Sequence, residues 1–300
     1  MLWLTATVLG GFFQSWRTAV QQRVRASLSV NAAGLVRYLF GFPVACILLA
    51  LYMVWRGLVV PEIAPGFLPN ALAAGFVQVI ATNLLILSFG YRNYVVGTAY
   101  AKTEAMQGAV LAMIMLGEIL SLLTWAGIIV GVIGVILLST GGAKVGPREM
   151  LRQLTQPAAL CGISAGFLFA LTAIFVKRAT FELGTEDKVH AALITLVAVL
   201  FLQLLMQGSY VIWREREQVA KIFTNWRVAG QVGLLAALGS ACWFTGFATA
   251  PVALVRAVGQ VEVIFTLFFG RFYLNEKLAR SEVTGLLLVG AGVVLALLGA

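Results

Sequence analysis

Ten stretches of mainly apolar residues follow one another along the chain, at 2–21, 31–55, 68–90, 94–116, 122–140, 158–177, 189–213, 228–249, 251–273 and 281–299. A helix needs about 20 such residues to cross the hydrocarbon of a bilayer, so each run is long enough to span one. The 300 residues are 61% hydrophobic and only 11% charged, where a soluble domain carries about a quarter charged residues. A soluble fold of this size has nowhere to hide so much apolar surface. The expected class is therefore an all-α membrane protein of ten transmembrane helices. Tyr91-Arg-Asn93 alone separates the third and fourth runs, and Pro251 marks the boundary of the eighth and ninth. Such short connections make the joined helices antiparallel neighbours.

The net charge of +9 would suit nucleic acid if it formed one basic face. Lys and Arg instead gather in the segments between runs, as membrane loops do, and no nucleic-acid partner is expected. Cys46, Cys161 and Cys242 lie far apart inside apolar runs and read as packing residues. His190 is the only histidine, so no metal centre or cofactor is expected. The first run has no basic region before it and reads as a span, not a cleaved leader. No Gly-rich phosphate loop of the Walker type occurs, which argues against nucleotide hydrolysis by this chain.

Shifting the sequence by 158 residues places Glu104 on Glu262 and Glu118 on Glu276 without gaps, with Gly127 on Gly285 and Gly134 on Gly292. Apolar matches are cheap here, but the chain has only 12 acidic residues, so two coincident Glu pairs are not. The first run of each half aligns better at a shift nearer 155, with Gly11-Phe12 over Gly166-Phe167. The expected organisation is a first five-helix repeat at 1–140, a linker at 141–157 and a second repeat at 158–300. Five is odd, so the second half enters the membrane from the opposite side. Inverted repeats of this kind are common in secondary transporters, whose substrate site lies at the repeat interface near midplane.

Leu-Gly-Glu-Ile-Leu-Ser121 and Leu-Asn-Glu-Lys-Leu-Ala279, each before a Gly-bearing last helix, resemble the drug/metabolite transporter superfamily of the EamA type. Arg37-Tyr-Leu in the second run matches that family's usual Arg-Phe-Leu. Many relatives carry Pro just after the positions of Glu104 and Glu262, where this chain has Ala105 and Val263. The resemblance implies transport of a small solute, mostly export. It also implies a cavity formed by runs 1, 3, 4, 6, 8 and 9, with 5 and 10 at the periphery. The expectation is a monomeric secondary active exporter of a small organic metabolite, amino-acid-like or amphipathic and cationic, in a bacterial inner membrane. It would work by alternating access, with a proton as candidate coupling ion. A lipid or lipid-linked sugar flippase and a non-transport structural subunit are the alternatives.

Glu104 lies ten residues into its run, roughly 15 Å along a helix, and Glu262 lies at a similar depth. An ionised side chain there costs about 2.5–3.5 kcal/mol on insertion scales. Such a group faces the bundle interior, pairs with an opposite charge, or titrates. Pairs such as Glu104 with Arg256 or Lys102 with Glu262 would hold the two halves together. Alternatively, burial and a neighbouring cation pull a carboxylate's titration in opposite directions, and the four charges would handle substrate or protons. Gln260, Tyr100, Gln14, Asn83 and Trp243 are candidates to line the same cavity. For any one of them, interhelical hydrogen bonding is the plainer role.

Overall fold

The computed structural model describes residues 1–91, 100–139, 155–275 and 282–299. It is built of helices: α1 Leu2–Val24, α2 Val30–Arg56, α3 Phe67–Tyr91, α4 Glu104–Leu116, α5 Leu122–Ser139, α6 Pro157–Phe181, α7 Lys188–Arg214, α8 Arg216–Thr224, α9 Trp226–Thr249, α10 Val252–Gly259, α11 Glu262–Phe272 and α12 Glu282–Leu298. A helix satisfies its own backbone hydrogen bonds, which lipid cannot do for it. Among the described residues each of the ten apolar runs accordingly holds helix, and α8 lies between two of them. Taking α10 and α11 as one segment, six are long and apolar enough to cross a membrane, and three shorter apolar helices join them at Glu104–Leu116, Leu122–Gly134 and Leu287–Leu298. The first run is not among the six. Its helix α1 buries Ser15, Arg17, Thr18 and Gln21 against its neighbours, so its polar face is paired with protein.

Helix ends carry local signals. Ser29 caps α2 by accepting from the Ala32 N–H at 3.1 Å, and Asp187 caps α7 by accepting from Val189 and His190 at 3.0 Å each. Gly57 and Gly117 end α2 and α4 at φ of 64° and 66°, where a side chain is strained. Glu217 and Lys221 lie on a separate short helix, α8, between α7 and α9, and those two side chains form no ion pair. The linker core with Lys144, Arg148 and Arg152 lies outside the described residues, as does Glu276.

The packing order places the interior. α1 packs mainly on α9 and α3 on α6; α2 packs on α7, and α5 on α12. α4 lies against α6 and α10, while α11 lies against α1. Exchanging each apolar run with the one five places later turns this set of neighbours into itself. The α5–α12 pair stands apart from the charged centre and closes on glycines. A Cβ on Gly127 would meet the Ala296 N at 2.5 Å, and one on Gly292 would meet the Gly131 N at 2.5 Å.

Candidate functional site

The fourth and ninth runs are both broken, and at matching places. One helical segment ends at Tyr100-Ala101, Lys102 and Thr103 form a turn, and α4 begins at Glu104. In the other run α10 ends at Gly259, Gln260 and Val261 form the turn, and α11 begins at Glu262. Each turn tightens to i→i−3 bonds, Thr103 N–H to the Tyr100 carbonyl at 3.3 Å and Val261 N–H to the Val258 carbonyl at 3.1 Å. A glycine from the opposite half sits against each break. A Cβ on Gly166 would lie 2.6 Å from the Ala101 carbonyl oxygen and 3.2 Å from the Glu104 N, and one on Gly11 would lie 3.2 Å from the Glu262 Cβ. These are the two glycines that the 155-residue shift superposes.

The breaks bring four buried charges into one chain. Lys102 Nζ lies 2.6 Å from Glu262 Oε2 and 3.4 Å from Glu104 Oε1. Arg256 Nη1 lies 3.3 Å from Glu104 Oε2, and its Nη2 donates to the Phe169 carbonyl at 2.7 Å. The order is Glu262–Lys102–Glu104–Arg256, with signs alternating and summing to zero. Gln14 Nε2 donates to Glu262 Oε2 at 2.9 Å, and Ser15 Oγ donates to the Glu262 carbonyl at 3.0 Å. None of the four charged side chains is more than 7% exposed. In so dry a site a lone charge would be far more costly than a paired one.

Trp243 is wedged between Gly10 and Gly259, whose added Cβ atoms would meet its ring at 3.3 and 2.4 Å. The Arg256 guanidinium lies 5.2 Å from the Trp243 ring and 4.9 Å from that of Phe247. The cation on this aromatic wall is thus the protein's own.

Three expected members stand elsewhere. Asn83 belongs to a separate amide cluster, donating to Asn31 Oδ1 at 3.1 Å and lying 3.3–3.4 Å from the Gln207 amide. Gln260, the counterpart of Lys102, turns to α5, where it packs on Gly131, and neither end of its amide has a partner. Tyr100 is buried at the end of its segment and contributes its carbonyl, which accepts from Thr103 Oγ1 at 2.9 Å. Ser15, its neighbour Thr266 at 3.2 Å between hydroxyls, and the Phe169 carbonyl complete the site without any sequence signal, because hydroxyls and main-chain acceptors carry no distinctive pattern.

Glu118 does not serve the helix that follows it. It accepts from the Val252 and Ala253 N–H groups at 2.8 and 3.1 Å, capping α10 in the other half, and from Lys177 Nζ at 3.0 Å. Glu118 thus holds α10 in place at the edge of the bundle, one helix end away from Arg256.

Residues 156–298 match the profile of the EamA-like transporter family. No curated protein matches the chain at a significant level. A protein of known crystal structure aligns with 98% of this chain and 97% of its own, at a TM-score of 0.69 and 14% identity, which is a likeness of fold. Residues 156–298 thus carry an EamA-like transporter family domain, within a chain whose apolar helices make it a multi-pass integral membrane protein.

Proposed function

We propose that the chain is a ten-span secondary transporter of two inverted five-helix repeats, and that the chain Glu262–Lys102–Glu104–Arg256 is the ionic lock between them. The observation that carries this reading is the crossing of the pairs. Lys102 of the first half holds Glu262 of the second, and Arg256 of the second holds Glu104 of the first. Alternating access by rocking one repeat against the other has to break or exchange these contacts. A proton on Glu262 removes the charge that holds Lys102, which gives a route for coupling a proton to the movement of a small organic solute. The breaks in the fourth and ninth runs support the same reading, since discontinuous helices at corresponding places mark the binding region of many transporters.

Glu104→Gln and Glu262→Gln, purified and reconstituted in liposomes, test it through uptake and counterflow across classes of metabolite. Both variants are expected to fold and to lose transport by about tenfold or more, the scale of a lost charge-assisted contact, or to lose its pH dependence. Transport by both at the wild-type rate and pH dependence would show that the carboxylates take no part. Lower thermal stability with undiminished transport by the surviving protein would reduce the four charges to a fastening.

A second reading has one observation in its favour. A cavity of about 360 Å³ is lined by Asn31, Phe76, Val79, Asn83, Met206, Gln207 and Tyr210. Phe76 and Tyr210 are exposed, so its apolar wall faces the lipid side while amides form its floor. A flippase needs a sideways opening of that kind, and scrambling of a labelled lipid by the liposomes used above would favour it.

A further inference from the structure

Among the described residues Arg17, Arg37, Lys102, Glu104, Arg256 and Glu262 are the buried charged side chains. Both carboxylates are already held, Glu262 by Lys102 and Glu104 by Lys102 and Arg256. Among the described residues no carboxylate lies within ion-pair distance of Arg37. It is 2% exposed. Its Nη1 donates to Thr82 Oγ1 at 3.1 Å and its Nη2 to Ser240 Oγ at 3.3 Å, both neutral acceptors. Its Nε is buried without a partner.

A guanidinium does not escape burial by losing its proton, and a buried charge without a counter-charge is strongly unfavourable. The missing charge is negative. The hydroxyls around Arg37 add to the case, because each can turn its proton outward and donate to an anion. Arg37 reaches from α2 to α3 and α9, so the site joins both halves of the chain. Arg17 lies near by, beside Tyr38. It is three residues along α1 from Gln14, which holds Glu262, or roughly 5 Å on. The other half has no equivalent, since α7 carries no Lys or Arg between Lys188 and Arg214.

We infer that Arg37, with Thr82 and Ser240, takes the carboxylate or phosphate group of a water-soluble solute. This rests on the transport reading and narrows its substrate class to anions and zwitterions. A purely cationic solute finds no free carboxylate among the described buried residues.

The test is thermal stabilisation of the purified full chain by matched probes: acetate against acetamide, L-leucine against L-leucinol, and glycerol 3-phosphate against glycerol. At least one anion-bearing probe is expected to stabilise the wild type saturably while its mate does not. Arg37→Gln should weaken that probe about tenfold or more, with partial recovery in Arg37→Lys. Equal stabilisation by the mates, no saturable effect of any anion, or an unchanged probe response in Arg37→Gln overturns the assignment. A shift with phosphatidylglycerol alone also overturns it, in favour of a lipid headgroup. If Arg37→Gln does not fold, the wild-type pairs and Arg37→Lys decide. Anion binding that depends on Arg37, together with wild-type transport by Glu262→Gln, would sink the ionic lock and leave this site standing.

Discussion

Asp187 shows how one loop carboxylate ties two helices, α2 and α7, together. It accepts from the Val189 and His190 N–H groups, receives the Tyr52 hydroxyl at 2.9 Å and faces Arg56 at 3.5 Å. Partial burial works to raise its carboxyl, but the His190 N–H, the Tyr52 hydroxyl, the Val189 N–H and Arg56 together hold it below the ordinary carboxylate value. A carboxyl depressed in the folded state stabilises it fully above the unfolded value, and that stabilisation is lost as pH falls through the folded one. Asp187→Asn is therefore expected to cost about 0.5–2 kcal/mol near neutral pH, the usual worth of an N-cap. The gap between variant and wild type should close below about pH 4. Thermal melts across that range decide the matter. A gap that stays constant down to acid pH would mean that shape, not charge, is what Asp187 supplies.

At the scale of elements, the glycines sort into two kinds. Gly127, Gly134 and Gly292 let α5 and α12 meet backbone to backbone, as small residues do in membrane helix pairs. Gly290, on the same α12, has nothing within 4 Å of an added Cβ. Gly292→Val should cost about 1–3 kcal/mol by overpacking, because the obstacle is backbone that cannot turn aside. Gly290→Ala should be neutral or stabilising by up to about 1 kcal/mol through helix preference. Equal melting temperatures for the two would remove the backbone contact as an explanation. The breaks in the fourth and ninth runs belong to this scale as well. Neither Lys102-Thr103 nor Gln260-Val261 contains Gly or Pro, so no helix-breaking signal lies in the turns themselves. Gly11 and Gly166, which make room for the breaks, are 251 and 62 residues away from the glutamates they face.

For the whole molecule, the loops after even-numbered runs gather acids. Glu62, Glu118, Glu182, Glu186 and Asp187 lie there, and the bridge between Ile63 and Leu183 ties two of these loops together. The basic residues on that side are partly engaged, Lys177 with Glu118 and the Ala250 carbonyl, and Arg178 with the Met115 carbonyl. Loops after odd-numbered runs hold twelve Lys or Arg against four on this side. Basic loops stay in the cytoplasm, so in a ten-span chain both termini are expected outside it. The family resemblance argues for the opposite, since its members commonly keep both termini in the cytoplasm. A C-terminal reporter active only outside the cytoplasm is expected to be bright. A silent fusion, with a cytoplasmic reporter bright at the same position, would reverse the orientation.

The apolar runs and the two glutamates Glu104 and Glu262 were legible from residue type and spacing, and the transporter family from motifs that resemble it. The reason is that hydrophobic length and rare intramembrane charge are properties of the chain itself. The pairing of Lys102 with Glu262 was legible only as one option among several. Which cation takes which carboxylate depends on where two remote turns place them, over a separation of 160 residues. The same cause removed Asn83 and the Gln260 side chain from the charged centre and gave Arg37 two neutral hydroxyls as acceptors. A polar residue's position in a run gives its depth in the bilayer. Only the packing of α1, α4, α9, α10 and α11 against one another gives its direction and its partner.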